Sequence, residues 1–199
     1  MKMIEYFVHP SSPWAYLGHR RFMAIARRHD ANIVLRPIDL NRIFPISGGL
    51  PLPKRAPQRQ AYRLAELSRW SRHLGMPLNL HPRHFPVDGV PASLAVIAAF
   101  HQAGIERAME FTARLMEGVW VNEQDISDRD TLAAIASSCG LDAQSVLSAS
   151  AASGTELDRN TADATEAQVF GVPWYRFAGE SFWGQDRLEF VERALASAE

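Results

Sequence analysis

The sequence is almost free of cysteine, since Cys139 is the only one among 199 residues. A disulfide needs two cysteines, so the chain can neither form an internal crosslink nor exchange one between its own thiols. Such a composition is typical of reducing compartments, and we expect a cytoplasmic location. The chain is long enough to bury a hydrophobic core without crosslinks. Cys139 lies on the apolar side of a predicted helix, so we expect it to be buried.

The chain also lacks an excess of charge, with 21 Lys and Arg against 22 Asp and Glu and a formal net charge of −1. Nucleic-acid-binding proteins usually have a basic excess, so we predict no nucleic-acid partner. No segment approaches the roughly 20 apolar residues that span a bilayer, and we predict no membrane association. The 7 histidines form no His-Glu-x-x-His motif. A lone cysteine cannot build a cysteine-rich zinc site, so we expect no metal.

The N-terminal part of the chain has the pattern of a strand–helix–strand unit. Residues 4–8 are rich in β-branched and aromatic side chains, which is typical of a buried strand. Ser12 followed by Pro13 is a favourable helix start, with serine as the N-cap and proline at the first helical position. The apolar run within residues 32–40 predicts a second strand. We therefore predict a βαβ unit with parallel strands and a right-handed crossover.

The middle of the chain has a helical pattern, and the end returns to mixed α/β character. Glycines and prolines predict a loop at 46–57, and apolar positions at helical spacing predict helices after it. The predicted elements are helices at 58–74, around 94–98, around 105–112, around 132–139 and at 154–169, strands at 174–177 and 180–183, and a closing helix from residue 186 or 187.

This order of elements predicts an α/β protein with a thioredoxin-like fold and an all-helical insertion between its N-terminal βαβ and C-terminal ββα halves. We expect a single domain spanning residues 1–199. Its core would be formed by about 1–45 and 154–199, and the helical insertion by about 46–153.

Ser12 occupies the position at which this fold has its reactive corner, between the first strand and the first helix. The free N–H groups and the dipole of the helix stabilise a thiolate there. Redox members have Cys-x-x-Cys at the corner, where this chain reads Ser11-Ser12-Pro13-Trp14. The Ser12 hydroxyl can donate a hydrogen bond to a ligand's thiolate and lower the pKa of that thiol. The local pattern alone is explained more simply by a helix N-cap.

Val172-Pro173 directly precedes the predicted strand at 174–177. A thioredoxin-like fold has a cis-proline at this point, facing the reactive corner. The backbone N–H and C=O of Val172 would then be free to pair with a bound peptide, as in strand addition. The alternative is an ordinary trans proline that opens a strand.

Trp183-Gly184-Gln185-Asp186-Arg187 lies at the junction of the last strand and the last helix. Glycine allows close backbone approach, the helix start offers N–H groups to a carboxylate, and Asp186 can bind an ammonium group. These features suit the amino-acid end of a ligand. Alternatively, Asp186 only caps the helix.

The predicted loop before the helix at 58–74 contains Gly48, Gly49, Lys54 and Arg55. Its two basic side chains can bind a carboxylate of a ligand or substrate. The alternative is that they are ordinary solvated surface charges.

Together these motifs resemble the 2-hydroxychromene-2-carboxylate isomerase family, which is related to the kappa-class glutathione transferases. The resemblance covers essentially the whole chain, in the same order and spacing. It departs from the family at His9, where relatives commonly have an acidic residue, and at Gly49, which replaces an asparagine. The motifs that carry it are Ser12-Pro13-Trp14-Ala15-Tyr16-Leu17, the Gly-Gly-x-Pro loop, Tyr62-Arg63 with Glu66-Leu67-x-Arg69-Trp70, Phe170-Gly171-Val172-Pro173 and Phe182-Trp183-Gly184-Gln185-Asp186-Arg187.

The resemblance implies a glutathione-dependent, reversible isomerisation of 2-hydroxychromene-2-carboxylate to trans-o-hydroxybenzylidenepyruvate in aromatic hydrocarbon catabolism. Glutathione would be the cofactor, because its thiolate adds to the conjugated system, permits rotation and leaves again. A homodimer is also implied. In this interpretation the thiolate is held by Ser12, the cysteinyl backbone by Val172 and Pro173, the γ-glutamyl end by Trp183, Gly184, Gln185, Asp186 and Arg187, the substrate carboxylate or glycyl end by Gly48, Gly49, Lys54 and Arg55, and the aromatic ring by Trp14 and Trp174. Core packing explains the two tryptophans equally well.

Two other functions are compatible with the same residues. A kappa-like glutathione transferase would conjugate electrophiles and consume glutathione stoichiometrically. A non-catalytic thioredoxin-like module would bind peptides along the Val172-Pro173 edge without turnover.

Overall fold

The predicted strands and helices occur in the predicted order, together with two unpredicted short helices, in this computed structural model, which describes residues 1–198. Three short 3₁₀ turns, Leu52–Lys54, Ala151–Ser153 and Gln185–Arg187, connect some of them. Between the second and third strands every regular element is helical. The elements are β1 (Lys2–Val8), α1 (Pro13–Arg28), β2 (Ala31–Pro37), α2 (Leu40–Ser47), α3 (Pro57–Leu74), α4 (Val90–Trp120), α5 (Arg129–Ser138), α6 (Ala143–Ser150), α7 (Gly154–Glu166), β3 (Trp174–Phe177), β4 (Glu180–Trp183) and α8 (Leu188–Ser197).

The four strands form one mixed sheet in the order β2-β1-β3-β4. β1 pairs in parallel with β2, as the βαβ pattern predicted, and antiparallel with β3, which in turn pairs antiparallel with β4. Phe7, near the end of β1, lies opposite Trp174, the first residue of β3. This register brings the corner that follows β1 next to the segment that precedes β3.

Side chains alternate between the two faces of β1 and pack into two separate cores. Tyr6 belongs to the larger core, where its ring stacks on Tyr175 with centroids 5.3 Å apart. Phe7 points to the opposite face and packs in a smaller core with Ile43 of α2 and Val172. The smaller core therefore anchors the segment that leads into β3.

Helix α2 and the end of β2 differ from the prediction. The strand was expected to extend to residue 40, but it ends at Pro37. Asp39 then caps α2, its side chain accepting a hydrogen bond from the N–H of Asn41 at 2.9 Å. Pro45 lies inside this short helix, and proline disfavours helix in sequence-based reasoning.

Helix α6 was not predicted, whereas the break in α4 was. Asp142 caps α6 by accepting from the N–H of Ser145 at 3.1 Å. Gly104 interrupts α4 with φ 79° and ψ 179°, so the two helices predicted around 94–98 and 105–112 are distinct segments. In the part of the chain that the structure describes, no helix combines the length and apolar character needed to cross a membrane.

Candidate functional site

Ser12 is the N-cap of α1 at the end of a tight turn after β1. Its N–H donates to the carbonyl of His9 at 3.0 Å, and its Oγ accepts from the N–H of Ala15 at 3.2 Å. Pro13 follows at the first helical position. The predicted cap is confirmed, and it holds the hydroxyl at the positive end of the α1 dipole, where an anion is stabilised.

The backbone of Val172 lies directly beside Ser12, although the two residues are far apart in sequence. Ser12 Oγ donates to the Val172 carbonyl at 3.4 Å. The Val172–Pro173 peptide bond is cis, which decides between the cis and trans isomers that the sequence left open. Within residues 1–198 the N–H of Val172 has no hydrogen-bond partner. The corner thus presents a hydroxyl, a helix N-terminus and an open backbone amide together.

The junction of β4 and α8 forms a second wall of the same site. Trp183 is half exposed, and Gly184 adopts φ 103°, where its N–H donates to the Pro173 carbonyl at 2.9 Å. Gln185 is buried, and its Oε1 accepts a hydrogen bond from Arg21 at 2.6 Å, so its side chain already has a partner within the protein. Asp186 is exposed beside Arg187, with 2.8 Å between Oδ2 and Nη1.

These segments line a cleft with two halves. The first, here the helix half, has a volume of about 590 Å³ and lies between α3 and the β4–α8 junction. The second, here the corner half, has a volume of about 420 Å³ and contains Ser12. The residues that border both halves are Trp14, Arg55, Arg63, Val172 and Trp183.

Arginines outnumber carboxylates in the lining of the cleft. The arginines are Arg55, Arg59, Arg63 and Arg187, and the carboxylates are Glu66 and Asp186. Burial, followed by the charge of Arg55, lowers the pKa of Arg63 to about 10, and burial and Arg59 lower the pKa of Arg55. Both guanidinium groups stay charged at neutral pH. Arg55, Arg59 and Arg63 have no carboxylate ion-pair partner among the described residues, because Glu66 pairs with Arg69 and Asp186 with Arg187. An anion from outside the chain can therefore bind here without displacing an internal partner.

Arg63 is held in place by aromatic rings rather than by a carboxylate. Its guanidinium carbon lies 5.3 Å from the ring centre of Phe85 and 5.7 Å from that of Trp120. Sequence reasoning noted Arg63 only within a family motif and did not name Phe85. The irregular, proline-rich stretch around Phe85 was the available signal, because a proline-rich loop next to a helix often borders a binding site.

His9 is a further polar group of the corner half that sequence reasoning did not place in the site. Its Nδ1 lies 2.9 Å from Ser11 Oγ, and its side chain is buried. Burial lowers the pKa of His9 to about 4, although the charges of Asp39 and Asp88 raise it. His9 is therefore neutral at physiological pH.

The remaining predicted residues lie around the cleft rather than in it. Gly48 caps the C-terminus of α2 with φ 74°, and Gly49 packs against Phe44. Lys54 is exposed in the 3₁₀ turn. Trp174 is buried in the smaller core, where Pro173 precedes it. Of the residues predicted to border the substrate, only Trp14 and Arg55 line either half among those described.

Comparison with known proteins gives relatives of the same length as this chain. The chain is 28% identical over 201 residues to the 2-hydroxychromene-2-carboxylate isomerase of Sphingobium xenophagum, covering 98% of both chains. It is 24% identical to glutathione S-transferase kappa 1 of Homo sapiens, covering 98% of this chain and 91% of that protein. The resemblance that the motifs predicted is thus confirmed over nearly the full length.

Solved structures with the same fold also align with nearly the whole chain. A 2-hydroxychromene-2-carboxylate isomerase superposes with a TM-score of 0.79 at 24% identity, covering 98% of this chain and 94% of that one. The cytosolic disulfide reductase DsbM from Pseudomonas aeruginosa with GSH gives a TM-score of 0.66 at 20% identity, covering 96% and 93%.

The predicted thioredoxin-like fold with its helical insertion is confirmed by these structures and by a family match. The sequence pattern described as the DSBA-like thioredoxin domain matches residues 3–196. This chain belongs to the DSBA-like thioredoxin domain family.

Proposed function

We propose that this protein is a glutathione-dependent isomerase that interconverts 2-hydroxychromene-2-carboxylate and trans-o-hydroxybenzylidenepyruvate. The observation that carries the proposal is the position of Ser12, beside the open backbone amide of Val172 and in a cleft with two halves. One half suits a peptide with charged ends, and the other suits an aromatic acid. The full-length similarity to three isomerases of this name supports the same reaction.

The residues of the helix half fit glutathione. The N–H of Val172 is free to pair with the cysteinyl backbone, as strand addition requires. Asp186 is exposed at the far wall, where it can bind the γ-glutamyl ammonium group. Arg55, Arg59 and Arg63 can bind the glycyl or substrate carboxylate. The match to a disulfide reductase solved with GSH supports this assignment.

The reactive thiol has to come from a ligand. Cys139 is buried next to the end of α5, and burial raises the pKa of its thiol. A buried thiol of raised pKa is a poor nucleophile. It lines neither half of the cleft as described in residues 1–198.

Bound glutathione would supply a thiolate that adds reversibly to the conjugated double bond of the substrate and leaves after rotation. Ser12 stabilises that thiolate by donating from Oγ, aided by the N-terminus of α1. Its present hydrogen bond to the Val172 carbonyl is long, at 3.4 Å, so redirecting the hydroxyl costs little.

The corner half can hold the aromatic acid. Its walls include Phe44, Phe170 and Trp183, and the ring centroids of Phe170 and Trp183 lie 4.7 Å apart in an edge-to-face arrangement. Apolar rings exclude water and orient a planar substrate. Arg55 and Arg63 border this half as well and can bind the substrate carboxylate.

The test is the ultraviolet spectrum of 2-hydroxychromene-2-carboxylate with purified protein, recorded with and without reduced glutathione, followed by a count of free thiols. We expect conversion that requires glutathione and leaves the thiol count unchanged. Thiol loss equal to product would instead indicate a transferase of the kappa type. Glutathione binding without any conversion would indicate a non-catalytic module or another substrate, and no binding would refute the proposal.

The variant Ser12→Ala separates the catalytic role of the serine from its role as a helix cap. Loss of an N-cap costs about 1 kcal/mol of stability, and Asp142→Ala removes a comparable cap from α6, away from the cleft. We expect similar losses of stability in both variants. Only Ser12→Ala should lower the rate, by about a hundredfold or more, because thiolate stabilisation is lost.

A further inference from the structure

His9 has no place in the mechanism above, although it lines the corner half beside the serines. Its Nδ1 lies 2.9 Å from the hydroxyl of Ser11, which adjoins Ser12 in the chain. Both Ser11 and His9 border the same half of the cleft as Ser12. The imidazole is thus hydrogen-bonded to a hydroxyl group that borders the same half of the cleft as Ser12.

Tight packing fixes the position of the imidazole. The Cβ of any larger residue at position 89 would collide with His9 Cε1 and lie 2.9 Å from Nε2. Gly89 precedes α4, so the backbone of that helix start forms one wall of the histidine pocket. A side chain held in this way is pre-organised for one hydrogen bond, the one to Ser11.

Burial and charges of both signs act on His9, and burial has the largest effect, lowering the pKa of the ring to about 4. Asp39, the N-cap of α2, and Asp88, before α4, both raise its pKa, whereas burial lowers it. Arg55 and Arg63 border the same half and disfavour a positive ring. The ring is neutral while the corner carries no anion, and a thiolate beside Ser12 would stabilise the imidazolium.

We propose that His9 accepts, through Ser11, the proton that the glutathione thiol gives up at the corner, and returns it when glutathione leaves. The S–H bond breaks with its electron pair remaining on sulfur. Its proton passes to Ser11 Oγ while the Ser11 hydroxyl proton passes to His9 Nδ1. The products are a thiolate and an imidazolium, and no net charge is created. This inference rests on the proposed binding of glutathione.

The test follows the ultraviolet absorbance of the thiolate of bound glutathione as a function of pH. We expect His9→Asn and Ser11→Ala each to reduce the thiolate fraction about tenfold at pH values below the thiol's pKa, because the charge partner is lost. Gly89→Ala should have the same effect by displacing the ring. His101→Asn, an exposed histidine paired with Glu156, and Gly154→Ala, where a Cβ meets nothing within 4 Å, are the matched controls.

Calorimetric titration of glutathione in buffers of different ionisation enthalpy provides a second readout. Wild-type protein should form the thiolate without releasing a proton to the buffer, since His9 keeps it. A proton released in step with thiolate formation would overturn the proposal. So would thiolate spectra of His9→Asn and Ser11→Ala that overlay the wild type while glutathione still binds, a result that leaves the proposed function intact. A wild-type protein that binds no glutathione refutes both.

Should His9→Asn fail to fold, as circular dichroism would reveal, Ser11→Ala still decides the question. Ser11 is half-buried, and its side chain makes one hydrogen bond among the described residues, the one to His9. Its removal therefore breaks the connection without opening the core.

Discussion

Substitution of Gly184 by alanine is expected to weaken glutathione binding through Asp186. Gly184 has φ 103° and ψ 153°, a region essentially restricted to glycine, in which other residues cost about 1–3 kcal/mol. The new Cβ would also lie 2.5 Å from Asp186 Oδ1. The carboxylate must move away, and it is the group that we assign to the γ-glutamyl ammonium.

The size of the effect follows from these two contributions. At about 2–4 °C per kcal/mol for a chain of this length, the backbone strain lowers the melting temperature by about 2–12 °C. Loss of a charged hydrogen bond of about 1.5–3 kcal/mol weakens binding by about 10- to 150-fold. Differential scanning calorimetry measures the first quantity, and calorimetric titration with glutathione measures the second.

Gly179→Ala is the matched control for this prediction. Gly179 has φ 85° in the β3–β4 turn, and a Cβ there meets nothing within 4 Å. The control also changes a glycine with a left-handed φ, but it leaves Asp186 in place. Cysteinylglycine, which lacks the γ-glutamyl group, should bind equally to both variants. Equal glutathione affinities of Gly184→Ala and Gly179→Ala would refute the assignment of Asp186.

Other predictions concern pH, substrate binding and the free thiol. Burial lowers the pKa of both His9 and His19 to about 4, below the unfolded value of about 6.5. Their neutral forms therefore stabilise the fold above pH 6.5. Urea denaturation should show the free energy of unfolding falling as the pH is lowered from 6.5 toward 4, by about 2 kcal/mol for each histidine between pH 6.5 and 5. His19→Gln should make the free energy of unfolding less dependent on pH, and an unchanged pH dependence would contradict the reasoning. Arg63→Met keeps the packing on the aromatic rings but removes the charge, so steady-state kinetics should show KM for the aromatic acid raised about tenfold or more, whereas Arg72→Met on the exposed side of the same helix should leave it unchanged. Cys139 should resist alkylation in the native protein because it is buried and its pKa is raised, and mass spectrometry showing rapid modification without unfolding would contradict this.

Local sequence patterns were sufficient to predict the parts of the site that are formed by the backbone. Ser12 and Pro13 start a helix whatever packs against it, because the hydrogen bond of the cap is made within one turn of the chain. The short strands 174–177 and 180–183 were predicted at the observed bounds, since a turn at Ala178 and Gly179 separates two short runs rich in aromatic residues. The pairing of these elements then brought the predicted residues Val172 and Asp186 to the cleft with Ser12.

The parts of the fold and of the site that could not be predicted from the sequence depend on tertiary packing. Helix α2 is short and contains Pro45, so its stability comes from burying Ile43 in the smaller core rather than from helix propensity. In the loop after α2, Arg55 donates from Nε to the Leu50 carbonyl at 2.7 Å and borders the cleft, whereas Lys54 lies at the surface. Composition cannot distinguish two adjacent basic residues in this way.

The shape of the cleft depends on two glycines, at which any side chain would collide with a residue of the site. At Gly89 a Cβ would collide with His9, and at Gly184 it would collide with Asp186. Each glycine lies at the start of a helix or turn whose backbone must approach a polar side chain of the site. The His9 ring and the Asp186 carboxylate border different halves of the cleft, and Ser12 lies at the corner beside the shared Val172. A substitution at either glycine should therefore affect one half only, so that Gly89→Ala changes the thiolate fraction without changing the affinity for the γ-glutamyl end, and Gly184→Ala does the reverse.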